Sequence, residues 1–312
     1  MHYLGIILAS ITAYLIGSIS WSIIIVRWRR GIDVRSVGSK NAGATNTTRL
    51  LGKKWGLITA LLDGFKVVVA ALIAVLFSLI PSSLFSETSY FIPAVFVLVG
   101  HCWPIYYKFK GGKAVSCFLG LIFISNVWYL FIFLIVWFIA AGFSRKVSVS
   151  SIIGAIVVGL IIWLPWLNGL SSFAWRWNSY DVWVQEAWSS VWLRFAWMNY
   201  LHMPIAEHVT HLKGFASGML EIQIVNLIGG VILLVRHWPN FSRIAKHEEP
   251  QTFPKLTAQE KAKLRYLHNQ PRITAEERKE IQRLEKIDKL SQKALKIQEK
   301  IDKLDQQKPP KD

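Results

Sequence analysis

Six uninterrupted apolar runs, at roughly 3–26, 57–80, 90–107, 115–143, 150–167 and 218–235, leave this chain few folds to choose from. Each is near or above the ~20 residues an α-helix needs to cross a hydrocarbon core ~30 Å thick. Within such a core every backbone N–H and C=O has to find its partner inside the protein, so runs of this length read as helices. Hydrophobic residues make up 53% of the 312, yet the formal charge is +17, a pairing that requires the charge to be segregated. Residues 1–245 hold 19 Lys and Arg against 7 Asp and Glu, while residues 246–312 hold 17 against 12 and are almost free of aromatics. The expected fold is all-α, with an integral membrane unit over 1–245 and a charged helical tail over 246–312.

Charge also sets the expected topology. The first run has no basic segment ahead of it and no small-residue cleavage site before Arg27, which favours an N-out anchor over a removable signal peptide. Arg27, Arg29 and Arg30 then lie inside. The positive-inside rule places the 27–56 loop, the 108–113 cluster, Arg145-Lys146 and the chain after Arg236 on the cytoplasmic side. Keeping Lys113 and Arg145 on one side forces residues 115–143 to cross twice. Two helices in ~29 residues are each only ~20 Å long, so a thinned or re-entrant hairpin broken near Ser125-Asn126 is expected. The count becomes about seven spans, N-out and C-in.

Residues 168–217 form a long extracytoplasmic insertion, and eight of the fifteen Trp residues fall between Trp163 and Trp197. An interfacial aromatic belt with amphipathic helices explains that density, with a carbohydrate or lipid-headgroup site as the alternative. In the tail, Thr257 with Glu260 and Thr274 with Glu277 are capping boxes on either side of Asn269-Gln270-Pro271. Leu290, Ala294, Ile297, Ile301 and Leu304 then follow coiled-coil spacing. A solvated helix pair, self-association and attraction to anionic lipid all fit this tail. Nucleic-acid binding lacks the interleaved aromatics it needs.

Two basic, glycine-bearing clusters carry the chemistry: VGSKNAGATNTTRLLGKK (37–54) and GHCWPIYYKFKGGK (100–113). Gly38, Gly43, Gly111 and Gly112 allow the backbone to approach a ligand, and successive N–H groups can then converge on phosphate oxygens. Lys40, Arg49, Lys110 and Lys113 supply charge, while Ser39, Asn41, Thr45 and Asn46 supply neutral donors and acceptors. The pattern is that of an anion site at a membrane face. Asp63 and Lys66, three residues apart inside a span, share a helix face and either pair or line a polar cavity. His101 precedes Pro104 at the end of the third run, where a histidine is structural or faces the site. His237, Asn240 and Arg243 lie on one face of a helical turn if Pro239 begins it, and close the site from a third side.

Several separated segments resemble the acyl-phosphate-dependent glycerol-3-phosphate acyltransferases of bacterial membranes, the PlsY family. They are GSISWSIII, DVRSVGSKNAGATNTTRLLGKK, DGFK, GHCWP with FKGGKAV, SVSSI, and RHWPNFSRIAKHE, in that order over about 200 residues. The resemblance implies transfer of a fatty acyl group from acyl phosphate to the 1-hydroxyl of glycerol 3-phosphate at the cytoplasmic face of the cell membrane. It implies that Arg49 and Lys113 hold phosphate oxygens, that Ser39, Asn41, Thr45 and Asn46 complete the cradle, and that His237 and Asn240 grip the glycerol phosphate. Ser148, from SVSSI, and His101 join the binding set. The implied reaction uses no metal or cofactor and no protein base, the leaving phosphate taking the hydroxyl proton; His101 and His237 are the candidates if a base exists. Cys102 and Cys117 read as packing residues. Three positions depart from the pattern: Lys40, Val67 and Ala114 stand where the family usually has Gly. The competing readings are a transporter or channel for phosphate or an organic anion, and an anchor whose tail recruits partners. A conduction path needs polar residues through several spans, and only Lys66 is a basic residue clearly inside one.

Overall fold

The computed structural model describes residues 2–86, 88–164 and 219–249, and all regular structure among them is helical. Ten α-helices are described: α1 (Leu4–Gly17), α2 (Trp21–Arg30), α3 (Ala44–Leu51), α4 (Lys53–Ser78), α5 (Ile92–Cys102), α6 (Val115–Ser125), α7 (Val127–Ser144), α8 (Val147–Ile161), α9 (Met219–Arg236) and α10 (Trp238–Ala245). The Trp-rich insertion and the tail helices expected from the sequence lie outside the described residues.

The stretch Leu4–Arg30, α4 and α7 are each long and apolar enough to cross a membrane, as is α9 with α10 if that pair, bent by 53°, counts as one span. Helices α5, α6 and α8 are shorter and apolar. On α4 the residues Leu57, Leu61, Phe65 and Leu76 are 58–64% exposed, while Thr59, Asp63, Lys66, Val67, Ala70 and Ala74 on the opposite side are buried. An outward stripe of large apolar side chains is unfavourable in water and suits lipid contact. The buried side packs into a single core with Leu98, Phe118, Leu121, Ile122, Tyr129 and Phe133.

Small residues set the closest helix crossings, as expected where lipid gives no hydrophobic push between helices. Gly17 of α1 lies on the backbone of Val97, and Gly100 of α5 on the Tyr14 carbonyl; Cβ atoms there would collide with main chain. The first apolar run forms two helices, interrupted at Ser18–Ser20. Lys66 Nζ fills the gap, donating to the freed carbonyls of Gly17 at 3.0 Å and Ile19 at 2.8 Å. A cation is favoured there by the negative end of the α1 dipole. The expected break in the fourth run falls between α6 and α7: Asn126 accepts the Trp128 N–H at 2.9 Å and caps α7, while Asn226 of α9 donates to Ser125 Oγ at 2.7 Å. At 1.5 Å per residue α6 is only about 16 Å long and α7 about 27 Å, so the shortening falls mainly on the first arm.

Candidate active site

Four helices begin at one end of the bundle around a shared cavity of about 720 Å³. Its wall includes Gly43, Ala44 and Thr45 from the start of α3, Ala114, Val115 and Ser116 from the start of α6, Val147 and Ser148 from the start of α8, and His237 through Asn240 from the start of α10. The first turns of α3, α6 and α8 present N–H groups and a partial positive charge, each favouring a nearby anion by about 0.3–1 kcal/mol, whereas at α10 Pro239 has no N–H and those of Asn240 and Phe241 donate to His237 O. Arg49, Lys113, Arg236 and Arg243 add full charges to the same wall. The other side of the cavity is apolar, lined by Leu57 and Ala60 of α4, Leu119 of α6 and Phe133, Leu134, Trp137 and Phe138 of α7. A cationic end joined to a greasy wall accommodates a molecule with an anionic head and a hydrocarbon chain.

The loop before α3 is organised from within. Asp33 accepts the Arg35 N–H, and its carboxylate binds the Arg35 guanidinium at 2.7 Å; that guanidinium also donates to the carbonyls of Tyr107 at 2.9 Å and Lys110 at 3.0 Å. The Arg35 guanidinium beside it holds the Asp33 carboxyl below its usual range. Arg35 thereby ties the two basic loops to each other. Asn46 is buried, its Nδ2 donating to the carbonyls of Val34 at 2.7 Å and Val37 at 3.0 Å while Oδ1 accepts the Ser39 N–H at 3.2 Å. Gly38 has φ +61°, and any Cβ there would run into Asn46 Oδ1.

The second loop is fixed in a similar way. Gly111 N–H donates to Cys102 O at 3.2 Å and Gly112 N–H to His101 O at 3.0 Å. The outward carbonyl of Gly112 accepts Arg236 Nε at 3.0 Å, and the Arg236 guanidinium lies 5.3 Å from the centre of the Trp103 ring. His101 is buried, with Nδ1 at 3.3 Å from Lys66 Nζ and 3.6 Å from Asp63 Oδ1, and the Asp63–Lys66 pair itself closes at 3.0 Å. These contacts hold the stretch leading to Lys113 against α4 and α5.

Lys113 Nζ donates to Asn240 Oδ1 at 2.6 Å, and Asn240 Nδ2 donates to Glu249 Oε1 at 2.7 Å. Glu249 also accepts from Ser148 Oγ at 2.6 Å and from Arg243 Nε at 2.7 Å. Burial raises the Glu249 carboxyl, but these donors outweigh it and leave the group below its usual range, hence ionised near neutrality. Burial, helped by neighbouring guanidinium groups and opposed by Glu249, brings Lys113 down to about 8. His237 Nδ1 is 2.8 Å from Leu233 O, so that nitrogen carries the proton and Nε2 is left as an acceptor. Burial and the Lys113 charge depress this imidazole to about 4.

Of the residues expected at the site, Ser39, Asn41, Gly43, Thr45, Arg49, His101, Lys113, Ser148, His237, Asn240 and Arg243 share the cavity wall. Gly38, Asn46, Lys110, Gly111 and Gly112 are absent from it. Asn46, Gly111 and Gly112 shape the loops: Asn46 Nδ2 and the N–H groups of both glycines donate to backbone carbonyls. Sequence reasoning missed Glu249, Arg236 and Arg35 as site organisers. Glu249 follows α10 across a turn with His247 at φ +57°, so helical spacing does not reach it, and a boundary at 245 leaves it on the wrong side.

Fold and cavity together define a membrane protein, helical throughout its described residues, with a cationic site at one end of its bundle, open to a lipophilic wall. The family profile described as glycerol-3-phosphate acyltransferase matches residues 7–247. A glycerol-3-phosphate acyltransferase of Mycoplasma capricolum subsp. capricolum is 57% identical over 257 residues, covering 82% of this chain and 95% of its own. That of Mesoplasma florum is 52% identical over 253 residues, covering 81% and 97%. The crystal structure of PlsY, an integral membrane glycerol 3-phosphate acyltransferase, in its glycerol 3-phosphate form superposes with a TM-score of 0.55 at 25% identity, covering 80% of this chain and 95% of that one. The chain belongs to the glycerol-3-phosphate acyltransferase family, and it is an acyltransferase.

Proposed function

We propose that the chain transfers a fatty acyl group from an acyl phosphate to the sn-1 hydroxyl of glycerol 3-phosphate, giving 1-acyl-glycerol 3-phosphate and inorganic phosphate. The observation that carries this reading is the meeting of four helix N-termini with Arg49 and Lys113 beside an apolar wall, which suits two phosphates and one acyl chain. The homologues named glycerol-3-phosphate acyltransferase support the acceptor, and the PlsY neighbour is consistent with the donor.

In this scheme the hydroxyl oxygen forms a bond to the acyl carbon, the bond from that carbon to the bridging phosphate oxygen breaks, and phosphate leaves with the hydroxyl proton. His237, depressed to about 4, is too weak a base to take that proton, but its Nε2 accepts and orients the hydroxyl. Lys113, Arg49 and the N-terminal N–H groups neutralise the departing phosphate, with Ser39, Asn41 and Thr45 on the same wall as neutral donors. Asn240, held by Glu249, fixes Lys113 in place. Since an acyl phosphate is already activated, most of the acceleration comes from positioning, a source able to supply about 7–11 kcal/mol.

The arrangement we propose in the membrane is about seven spans with the N-terminus outside, the C-terminus inside and the cavity facing the cytoplasm of a bacterial cell. The basic clusters 27–54, 108–113, 145–146 and 236–243 support it through the positive-inside rule. The tail over 250–312 is read as an appendage that self-associates or meets anionic lipid. The test is product identification: purified protein given palmitoyl phosphate and glycerol 3-phosphate yields 1-palmitoyl-glycerol 3-phosphate by mass spectrometry. Recovery of unreacted glycerol 3-phosphate, with palmitate as the sole acyl product, defeats the proposal.

A further inference from the structure

Lys40 occupies backbone that a lysine rarely adopts. Its φ is +55°, in the left-handed region where a Cβ is unfavourable and glycine is the natural occupant. The turn itself does not call for a lysine, since the local bond runs from Lys40 N–H to Val37 O, and glycine would make it equally well. The side chain sits on the cavity wall between Ser39 and Asn41, and among the described residues it has no hydrogen-bond or ion-pair partner. Lys40 thus places an uncompensated, exposed charge at the rim of an anion site on backbone that favours glycine.

The charge balance of the cavity indicates what that is. Arg243 is matched by Glu249, and Asp63 by Lys66. Among the described residues Arg49, Lys113 and Arg236 form no ion pair, and the Arg236 guanidinium is occupied by loop carbonyls and the Trp103 ring. Glycerol 3-phosphate and an acyl phosphate together bring about three to four negative charges near neutral pH, at about −1.5 to −2 each. We propose that Lys40 is a substrate-contacting residue, an additional cation that binds the phosphoryl group of one of the two substrates and sets its affinity. This inference rests on the acyltransferase reading and extends it to a residue that the resemblance does not supply.

The experiment compares Lys40→Gly and Lys40→Arg with the unaltered full-length protein in detergent or lipid, measuring the KM of glycerol 3-phosphate and of palmitoyl phosphate separately. The melting temperature is recorded with and without inorganic phosphate. Glycine relieves the left-handed backbone, so Lys40→Gly is expected to melt at or above the parent temperature, which removes misfolding as an explanation. Its KM for one phosphorylated substrate is expected to rise about 2- to 5-fold with kcat within twofold, the range for one exposed charge pair. Thermal stabilisation by phosphate is expected to shrink, and Lys40→Arg to restore both. A rise confined to glycerol 3-phosphate assigns the contact to the acceptor, and one confined to palmitoyl phosphate assigns it to the donor. Unchanged KM for both substrates together with unchanged phosphate stabilisation overturns the proposal and leaves Lys40 a strained loop residue. Failure of the unaltered protein to turn over contradicts the acyltransferase reading instead, and the phosphate-stabilisation arm still decides the role of Lys40.

Discussion

Removing the Glu249 carboxylate is the perturbation whose consequence the structure states most fully. Its side chain is 7% exposed and accepts from Ser148, Asn240 and Arg243 at 2.6–2.7 Å, so Glu249→Ala strands three donors at once. Breaking a buried charged pair costs about 3–5 kcal/mol, but Arg243 is 43% exposed and regains water, so about 2–3 kcal/mol is the better figure. That corresponds to a melting temperature roughly 4–12 °C lower for a protein of this size. Activity should fall further than stability, because Asn240 loses the partner that aims it at Lys113. The folded carboxyl lies below its unfolded value, so its contribution is fully present above about 4.5 and is lost as the pH falls through the folded pKa. The parent should therefore lose stability on acidification more steeply than Glu249→Ala. Thermal unfolding in detergent at pH 4 and 7, with initial rates at pH 7, measures all of this. A variant within 1 °C of the parent at pH 7 and within twofold in rate would refute the reasoning.

Four further outcomes follow from the same site. Burial brings Lys113 to about 8, so its charge is lost as pH rises through that value and kcat/KM should fall above pH 8; a flat profile to pH 9.5 contradicts this. Lys113→Ala should lose at least about 100-fold in kcat/KM with normal membrane insertion, the scale for one donor to developing charge. His237→Gln keeps an acceptor, so it should retain more activity than His237→Ala and leave the pH profile between 6.5 and 7.5 unchanged; a limb in that range that vanishes with the histidine would establish a protein base. Deleting residues 250–312 should leave turnover within about threefold, whereas deleting 246–312 should abolish it by removing Glu249, and equal behaviour of the two truncations would show that Glu249 is dispensable.

What could be read in advance follows from the range over which each residue acts. The apolar runs are local, and the α6–α7 break was visible because Asn126 caps a helix two residues on. At the α1–α2 break the Gly17-Ser18-Ile19-Ser20 segment is local, but the Lys66 ammonium that satisfies the freed carbonyls lies 47 residues beyond Ile19, out of reach of any local pattern. Arg49, Lys113, His237 and Asn240 stood out as polar groups in motifs flanking the spans. For Asn46, Gly111 and Gly112 composition does not reveal that their N–H groups go to backbone carbonyls. Glu249 falls one residue past the last recognisable segment, beyond a left-handed turn that no periodicity announces.

Phosphate release from palmitoyl phosphate by the purified protein, with and without glycerol 3-phosphate and beside a palmitoyl-CoA control, is the most direct test of the proposed reaction. The account predicts release that depends on both substrates and no consumption of the thioester. Release indifferent to glycerol 3-phosphate, or acylation from palmitoyl-CoA at a comparable rate, would contradict it.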